Sequence, residues 1–376
     1  MISRRQFTLT SAAVAVAGFN TAQAQSEGKI ILGQSASLTG PAAQLGIQFN
    51  LGAKIYLEQL NARGGVGRRS IELVALDDGY EPDRCAENTA KLIAQDVTAL
   101  FGYIGTPTSL AALPLASKER VPFVAPFTGA MSLREPLNKM AFHLRASYDD
   151  ETALIVKQLT NLGLKKIAVF YQNDAYGKAG LSGVNKALAA QGIKPVALAT
   201  VERNTVDVAA AVKTLVAAGP DAIVQIGAYK ACAAFIRAAR AATFGGTFYN
   251  VSFVGTQALS DELGKDAAGV VISQVVPSPT SLTTALGREF TEAVKTYGKG
   301  ATANYSSLEG YLAARLIGDG LRNAGGRATR ESLVAGLEGI GSQSYGGFSV
   351  SLSAAGHVAS SFVQLTMLSG DGRVRI

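Results

Sequence analysis

The feature that most constrains this chain is a strand and helix pattern that runs twice. Ile167 follows Ile30 by 137 residues and Gly177 follows Gly40 by the same 137, so a strand start and the loop after it recur together. In the first copy the β-rich run Ile30–Ser37 ends in Leu38-Thr39-Gly40, and a helical pattern over 45–61 stops at Arg63-Gly64-Gly65. Strand 71–76, helix 82–95, strand 98–103, helix 109–119 and strand 122–125 follow. The second copy reads strand 167–172, a helix to Ala190 closed by Gly192, strand 196–201, helix 206–218, strand 222–226, helix 230–242 and a strand near 248–254. Alternation of this kind predicts an α/β fold with parallel sheets, and two copies predict two similar lobes. The 376 residues also exceed the roughly 250–300 that one hydrophobic core sustains.

The lobes are expected to be joined by several thin crossings, which together make a hinge. Arg145–Asp150 is the first crossing. Pro277-Ser278-Pro279, after a β-rich run at 270–276, is the second, because X-Pro favours extended backbone. A third is expected near Gly346, after helices at 286–297 and 306–324 and before β signals at 348–352 and 362–368. These crossings divide the chain into one lobe of residues 27–147 plus 278–346 and another of 148–277 plus 347–376.

Residues 1–24 read as an export signal. Ser3-Arg4-Arg5-Gln6-Phe7 precedes an apolar run to about Gly18 and then Ala22-Gln23-Ala24, with cleavage expected after Ala24. The paired arginines resemble a twin-arginine signal, the general secretory route being the alternative. No Cys follows the apolar run, so no lipid anchor is expected. The apolar run is too short to span a bilayer, so no membrane insertion is expected. The chain without its signal carries 33 − 28 = +5, and these charges are scattered rather than gathered into a basic, aromatic-laced stripe, which argues against nucleic acid. Two Cys and two His predict no metal centre, and no cofactor is expected. Cys85 and Cys232 fall in helical patterns of different halves and are expected as two buried thiols. A soluble, exported, periplasmic monomer is the expectation.

Ligands in open α/β sheets bind beyond the carboxyl ends of strands. There the chain offers Gly102-Tyr103-Ile104-Gly105-Thr106-Pro107, with Thr106 where an N-cap belongs and Pro107 at the first helical position. A helix start with free N–H groups and a hydroxyl suits a carboxylate, the equal alternative being that Thr106 only caps its own helix. Thr128 and Gly129, in Pro126-Phe127-Thr128-Gly129-Ala130, add a hydroxyl and a close backbone approach. In the second copy Tyr176 and Tyr229 lie at corresponding strand ends, and as exposed loop tyrosines each would offer a ring face and a phenol to a small ligand. Catalytic signatures are missing: there is no G-x-G-x-x-G, Walker A, H-E-x-x-H or G-x-S-x-G, and His143 and His357 lie far apart. Asp77-Asp78 is an acidic pair at a strand end, which more simply caps a helix or holds a loop. The reading is a cleft that binds and does not react.

With these residues in place the chain resembles the leucine/isoleucine/valine-binding type of periplasmic solute-binding protein that serves ABC transporters. The resemblance rests on Ala36-Ser37-Leu38-Thr39-Gly40-Pro41, Asn61-Ala62-Arg63-Gly64-Gly65, Asp77-Asp78, the 122–130 segment, Asn173-Asp174-Ala175-Tyr176-Gly177 and Glu309-Gly310-Tyr311, in this order across the chain. It implies two Rossmann-like lobes joined by a three-crossing hinge (type I periplasmic binding protein), a small carboxylate ligand and an ABC permease in the inner membrane as partner; a periplasmic sensor for a membrane signalling partner is the alternative. It places the carboxylate on Thr106, Phe127, Thr128 and Gly129 beside Tyr103, the closing aromatics at Tyr176 and Tyr229, and a side-chain contact at Leu45 in the loop after Gly40. Two departures stand out. Where such proteins carry an acid for the ligand ammonium, this chain has Asn250-Val251-Ser252-Phe253-Val254, so Ser252 and Phe253 offer no carboxylate. The first-lobe disulfide positions match Tyr80 and Gly105. A buried ammonium without an anion is costly, so an aromatic or branched organic acid is expected ahead of a plain amino acid, which stays the alternative. Glu151, near the first crossing, is the residue that would restore a cation partner.

Overall fold

The computed structural model describes residues 28–376; the export signal at 1–24 lies outside them. The first lobe opens with β1 (Ile30–Ala36), α1 (Ala43–Ala62), β2 (Ile71–Asp77), α2 (Pro82–Ala94), β3 (Ala99–Phe101), α3 (Thr106–Lys118), β4 (Phe123–Val124) and β5 (Ala141–Phe142). The chain then crosses to α4 (Tyr148–Asn161), β6 (Ile167–Gln172), α5 (Ala175–Ala189), β7 (Ala197–Val201), α6 (Ala209–Ala217), β8 (Ala222–Ile226), α7 (Tyr229–Ala241), β9 (Thr247–Asn250), α8 (Thr256–Leu263) and β10 (Val271–Gln274). It returns through α9 (Ala285–Tyr297), α10 (Tyr305–Asn323), α11 (Arg330–Glu338), β11 (Gly341–Tyr345) and β12 (Phe348–Leu352), and finishes with β13 (Gln364–Leu368) and β14 (Val374–Arg375).

The repeat in the sequence is a repeat in space. The first sheet is parallel in the order β2-β1-β3-β4-β5. The second has the parallel core β7-β6-β8-β9-β10, the same order within its own copy, and β13 and β14 add antiparallel beyond β10. Strands β1 and β6 are buried along nearly their whole length, and β6 is a nearly continuous apolar run, because helices cover both faces of each sheet. The antiparallel β13 needs no crossover helix, so the tail can close the sheet edge by direct return.

The third crossing lies later than the sequence suggested. Gly346-Gly347 is the two-residue turn of the β11–β12 hairpin, with Tyr345 paired to Phe348 and both glycines at positive φ, so it ends no lobe. After the hairpin the chain still belongs to the first lobe: His143 donates its N–H to His357 O at 2.7 Å, and Ala359 donates to His143 O at 2.7 Å. The His357 ring stacks on Phe142 with centroids 4.0 Å apart. Only beyond Ala359 does the chain reach β13 in the second sheet. Residues 347–359 therefore sit with the first lobe, and the last crossing is the 360–363 segment.

The first crossing carries a buried ion pair. Arg145 reaches Glu309 on α10 through two hydrogen bonds of 2.8 Å each, and its guanidinium lies 4.3 Å from the centroid of Phe127. Ser147 then caps α4 in a reciprocal box with Asp150, fixing where the second lobe begins.

Candidate ligand-binding site

The two lobes are closed on each other at the carboxyl ends of their strands. Phe253 of the second lobe packs against Tyr80 and Phe127 of the first, with centroids 5.9 and 5.6 Å apart. Gln172 donates to the Tyr80 phenol at 3.3 Å. At the rim, Arg203 pairs with Glu81 at 2.7 Å, while the Asn204 amide donates to Glu81 at 2.7 Å and to Gly79 O at 3.0 Å. Leu45 meets Gly255 across the same boundary: a Cβ on Gly255 would fall 2.5 Å from its Cδ2. Leu45 stands in the first turn of α1 rather than in the loop after Gly40, because the helix starts at Ala43.

Thr106 and Thr128 face each other, their hydroxyl oxygens 2.7 Å apart. Thr106 is the first residue of α3, and Gly105 is the N-cap. Gly105 takes that position at φ 94°, and a Cβ there would fall 2.3 Å from the Tyr80 ring. The Tyr80 ring thus fills the space that a side chain at position 105 would need. Because the cap is Gly105, the Thr106 hydroxyl does not cap its own helix but turns to Thr128, whose oxygen also accepts the Ala130 N–H at 3.2 Å. Gly129 lets the crossing approach: Tyr148 donates its N–H to Gly129 O at 2.8 Å, and a Cβ on Gly129 would fall 2.7 Å from that nitrogen.

The second lobe contributes rings from helix first turns rather than from exposed loops. Tyr176 is the second residue of α5, whose cap Asp174 accepts its N–H at 2.9 Å; Tyr229 is the first of α7. Both are buried, Tyr176 against Phe253 at 4.5 Å and Tyr148 at 5.4 Å. Tyr229 meets the backbone of Gln44 in the first lobe. Ser252 and Phe253 follow β9 in a tight turn, and Glu151 reaches Ser252 from α4, accepting its N–H at 2.7 Å and its hydroxyl at 3.0 Å. Ser273 gives the same carboxylate a third hydrogen bond of 2.6 Å. Burial raises the Glu151 carboxyl above its usual range, while Arg145 and these serines pull it back.

Nine of the ten residues singled out from sequence therefore meet around one interlobe core. Tyr103 does not: its phenol bonds Thr89 on α2 at 3.1 Å and its ring packs on Phe123, inside the helix–sheet layer. Tyr80 and Tyr148 are the residues that sequence reasoning passed over. The signal for Tyr80 was Gly79-Tyr80 directly after the Asp pair, and for Tyr148 its place directly after the capping Ser147 of a Ser-x-x-Asp box. The acidic pair itself is structural: Asp77 holds the 38–39 backbone and Gly79, and Asp78 holds Ser35 and the Tyr80 N–H. Cys85 and Cys232 are free and buried. Among the described residues no helix is long and apolar enough to cross a membrane.

Two lobes of one sheet order, hinged by three crossings and closed over buried hydroxyls and rings, define a cleft-type solute-binding protein. The chain belongs to the periplasmic binding protein family, whose model matches residues 29–373. It is 27% identical over 335 residues to Leu/Ile/Val-binding protein homolog 7 of Brucella abortus, covering 84% of this chain and 82% of that one. Among solved structures, a possible leucine/isoleucine/valine-binding protein from Rhodopirellula baltica superposes with a TM-score of 0.87 at 35% identity, over 92% of this chain and 95% of that chain. A substrate-binding periplasmic protein from Ralstonia solanacearum gives a TM-score of 0.87 at 29% identity, over 92% and 99% of the two chains.

Proposed function

We propose that this protein is the periplasmic substrate-binding component of an ABC importer and that it captures a small carboxylate with an apolar body between its lobes. The observation that carries this reading is the Thr106–Thr128 hydroxyl pair at the start of α3, buried where both lobes meet. One hydroxyl serves the other, so one proton stays free to donate, and the first N–H groups of α3 have no intrahelical acceptor. The rings of Tyr80, Phe127, Tyr176 and Phe253 with Leu45 suit an aromatic or branched body. The names of its relatives, Leu/Ile/Val-binding proteins, agree with a carboxylate of this size. Closure of the lobes over such a ligand is the two-state change a permease reads. A partner kinase in place of a permease would make the same cleft a sensor.

The ligand in this reading lacks an ammonium group. Glu151 is an acid on the second-lobe wall, yet its oxygens already take three hydrogen bonds and Arg145 lies within electrostatic reach. The second reading, an amino acid whose ammonium rests on Glu151, is favoured by the contact of Glu151 with Ser252. Calorimetry of leucine and phenylalanine beside isocaproate and phenylpropanoate decides between them. The proposal expects the deaminated acids to bind at least as tightly; amino acids binding tenfold tighter, about 1.4 kcal/mol, would establish the second reading.

A further inference from the structure

We infer that Tyr148, the first residue of the second lobe, is a ligand residue: its phenol donates to the carboxylate held by Thr106 and Thr128, so the anion is bound partly by the hinge. This inference rests on the carboxylate reading above and deepens it.

Thr106 and Thr128 bond each other, and Thr128 also accepts from Ala130, so whichever threonine donates, the pair keeps one hydroxyl proton for a ligand. A carboxylate presents two oxygens and is stabilised by two or three donors. Tyr148 supplies a further one. Its ring lies against Gly129, since a Cβ there would fall 2.8 Å from its Cδ1, and its backbone N–H is fixed to Gly129 O at 2.8 Å. Its phenol lies beside the Thr128 hydroxyl and the Gly129 backbone. The side chain is 1% exposed, and its phenol oxygen has no hydrogen-bond partner among the described residues. A buried hydroxyl without a partner is costly, and buried polar groups are normally satisfied. Burial also pushes this phenol up to about 12, against the pull of Arg145, so it remains a neutral donor across the working pH range.

Position gives the contact a second consequence. Tyr148 follows the crossing directly and packs on Tyr176 of the closing wall at 5.4 Å. A ligand bonded to it is tied to the hinge as well as to the first lobe, and this differential contact favours the closed state.

The test uses the mature full-length protein, Tyr148→Phe and Thr106→Val. Probes are leucine, phenylalanine, benzoate, isocaproate and phenylpropanoate, with the amide of whichever acid gives the largest thermal shift. Tyr148→Phe is expected to weaken that acid about tenfold, or about 1.4 kcal/mol, to leave the amide within about twofold, and to leave unliganded melting unchanged. The acid-to-amide ratio within each variant is read on folded protein, so it stands even if the variant is less stable. Weakening by Thr106→Val but not by Tyr148→Phe overturns the inference and leaves the carboxylate reading intact. An unchanged ratio in both variants, or no acid of the panel binding, overturns both.

Discussion

The Glu151 carboxylate and Ser252 are joined twice, through the Ser252 N–H at 2.7 Å and its hydroxyl at 3.0 Å. The contact fastens α4, just after the first crossing, to the turn that carries Phe253 into the cleft. Glu151 is thus a brace for the ligand wall. Glu151→Gln keeps the shape but weakens three charge-assisted bonds, so melting should fall by several degrees while affinity for a deaminated acid stays within about threefold. Calorimetry and a thermal melt check this. A loss of tenfold or more confined to amino acids would instead make Glu151 a ligand to ammonium.

Arg203 and Glu81 close the rim. Both are partly exposed, so their attraction is screened, and exposed pairs contribute roughly 0.2–1 kcal/mol. Arg203→Ala should weaken ligand about two- to fivefold, chiefly by faster release from the closed state. The difference from the parent protein should shrink as salt rises from 50 to about 500 mM. Stopped-flow dissociation at both ionic strengths measures it; a gap independent of salt would argue against a rim latch.

The hinge pair behaves differently because it is buried. Glu309→Gln leaves Arg145 charged without its carboxylate, and removing one partner of a buried pair costs about 3–5 kcal/mol. Replacing both, Arg145→Met with Glu309→Gln, should recover much of that loss. Urea unfolding of the single and double variants gives the comparison, and a double variant no better than the single would contradict it.

Asp78 gives a pH signature. Burial pushes its carboxyl up to about 6 from an ordinary 3.8, against hydrogen bonds from Ser35 and the Tyr80 N–H. The native state then holds the proton more tightly than the unfolded chain. This group's contribution to stability is therefore greatest below about pH 4, falls as pH rises to about 6, and is flat beyond. The difference is worth about 3 kcal/mol. Asp78→Asn should remove that much of the decline between pH 4 and 6 in urea titrations; parallel curves for the two proteins would refute the assignment.

Much of the fold was legible because local signals and tertiary structure agree. Strands 167–172, 222–226 and 348–352 have the residues read from the sequence, since the first two are largely apolar runs and the third alternates apolar with polar residues. The third crossing misled because Gly346-Gly347 serves a hairpin and a linker equally well by composition. Thr106 is singled out by the sequence for a partly mistaken reason: its hydroxyl faces Thr128, but the cap is Gly105, where the ring of the distant Tyr80 leaves no room for a side chain. Tyr80 and Tyr148 stayed hidden because their roles arise only when Gly105 and Gly129 bring other segments against them. Tyr103 shows the converse, since a residue at a strand end can still point into its own core.

The carboxylate account turns on Thr106. Its hydroxyl should matter for an anion and for little else, so calorimetric titration of Thr106→Val beside the parent, with phenylpropanoate or the tightest acid found in its place, tests the claim most directly. The account predicts binding weaker by about 1–3 kcal/mol, since a buried charged acceptor loses a donor, with no comparable loss for the matching amide. Equal affinity of the two proteins for the acid would contradict it.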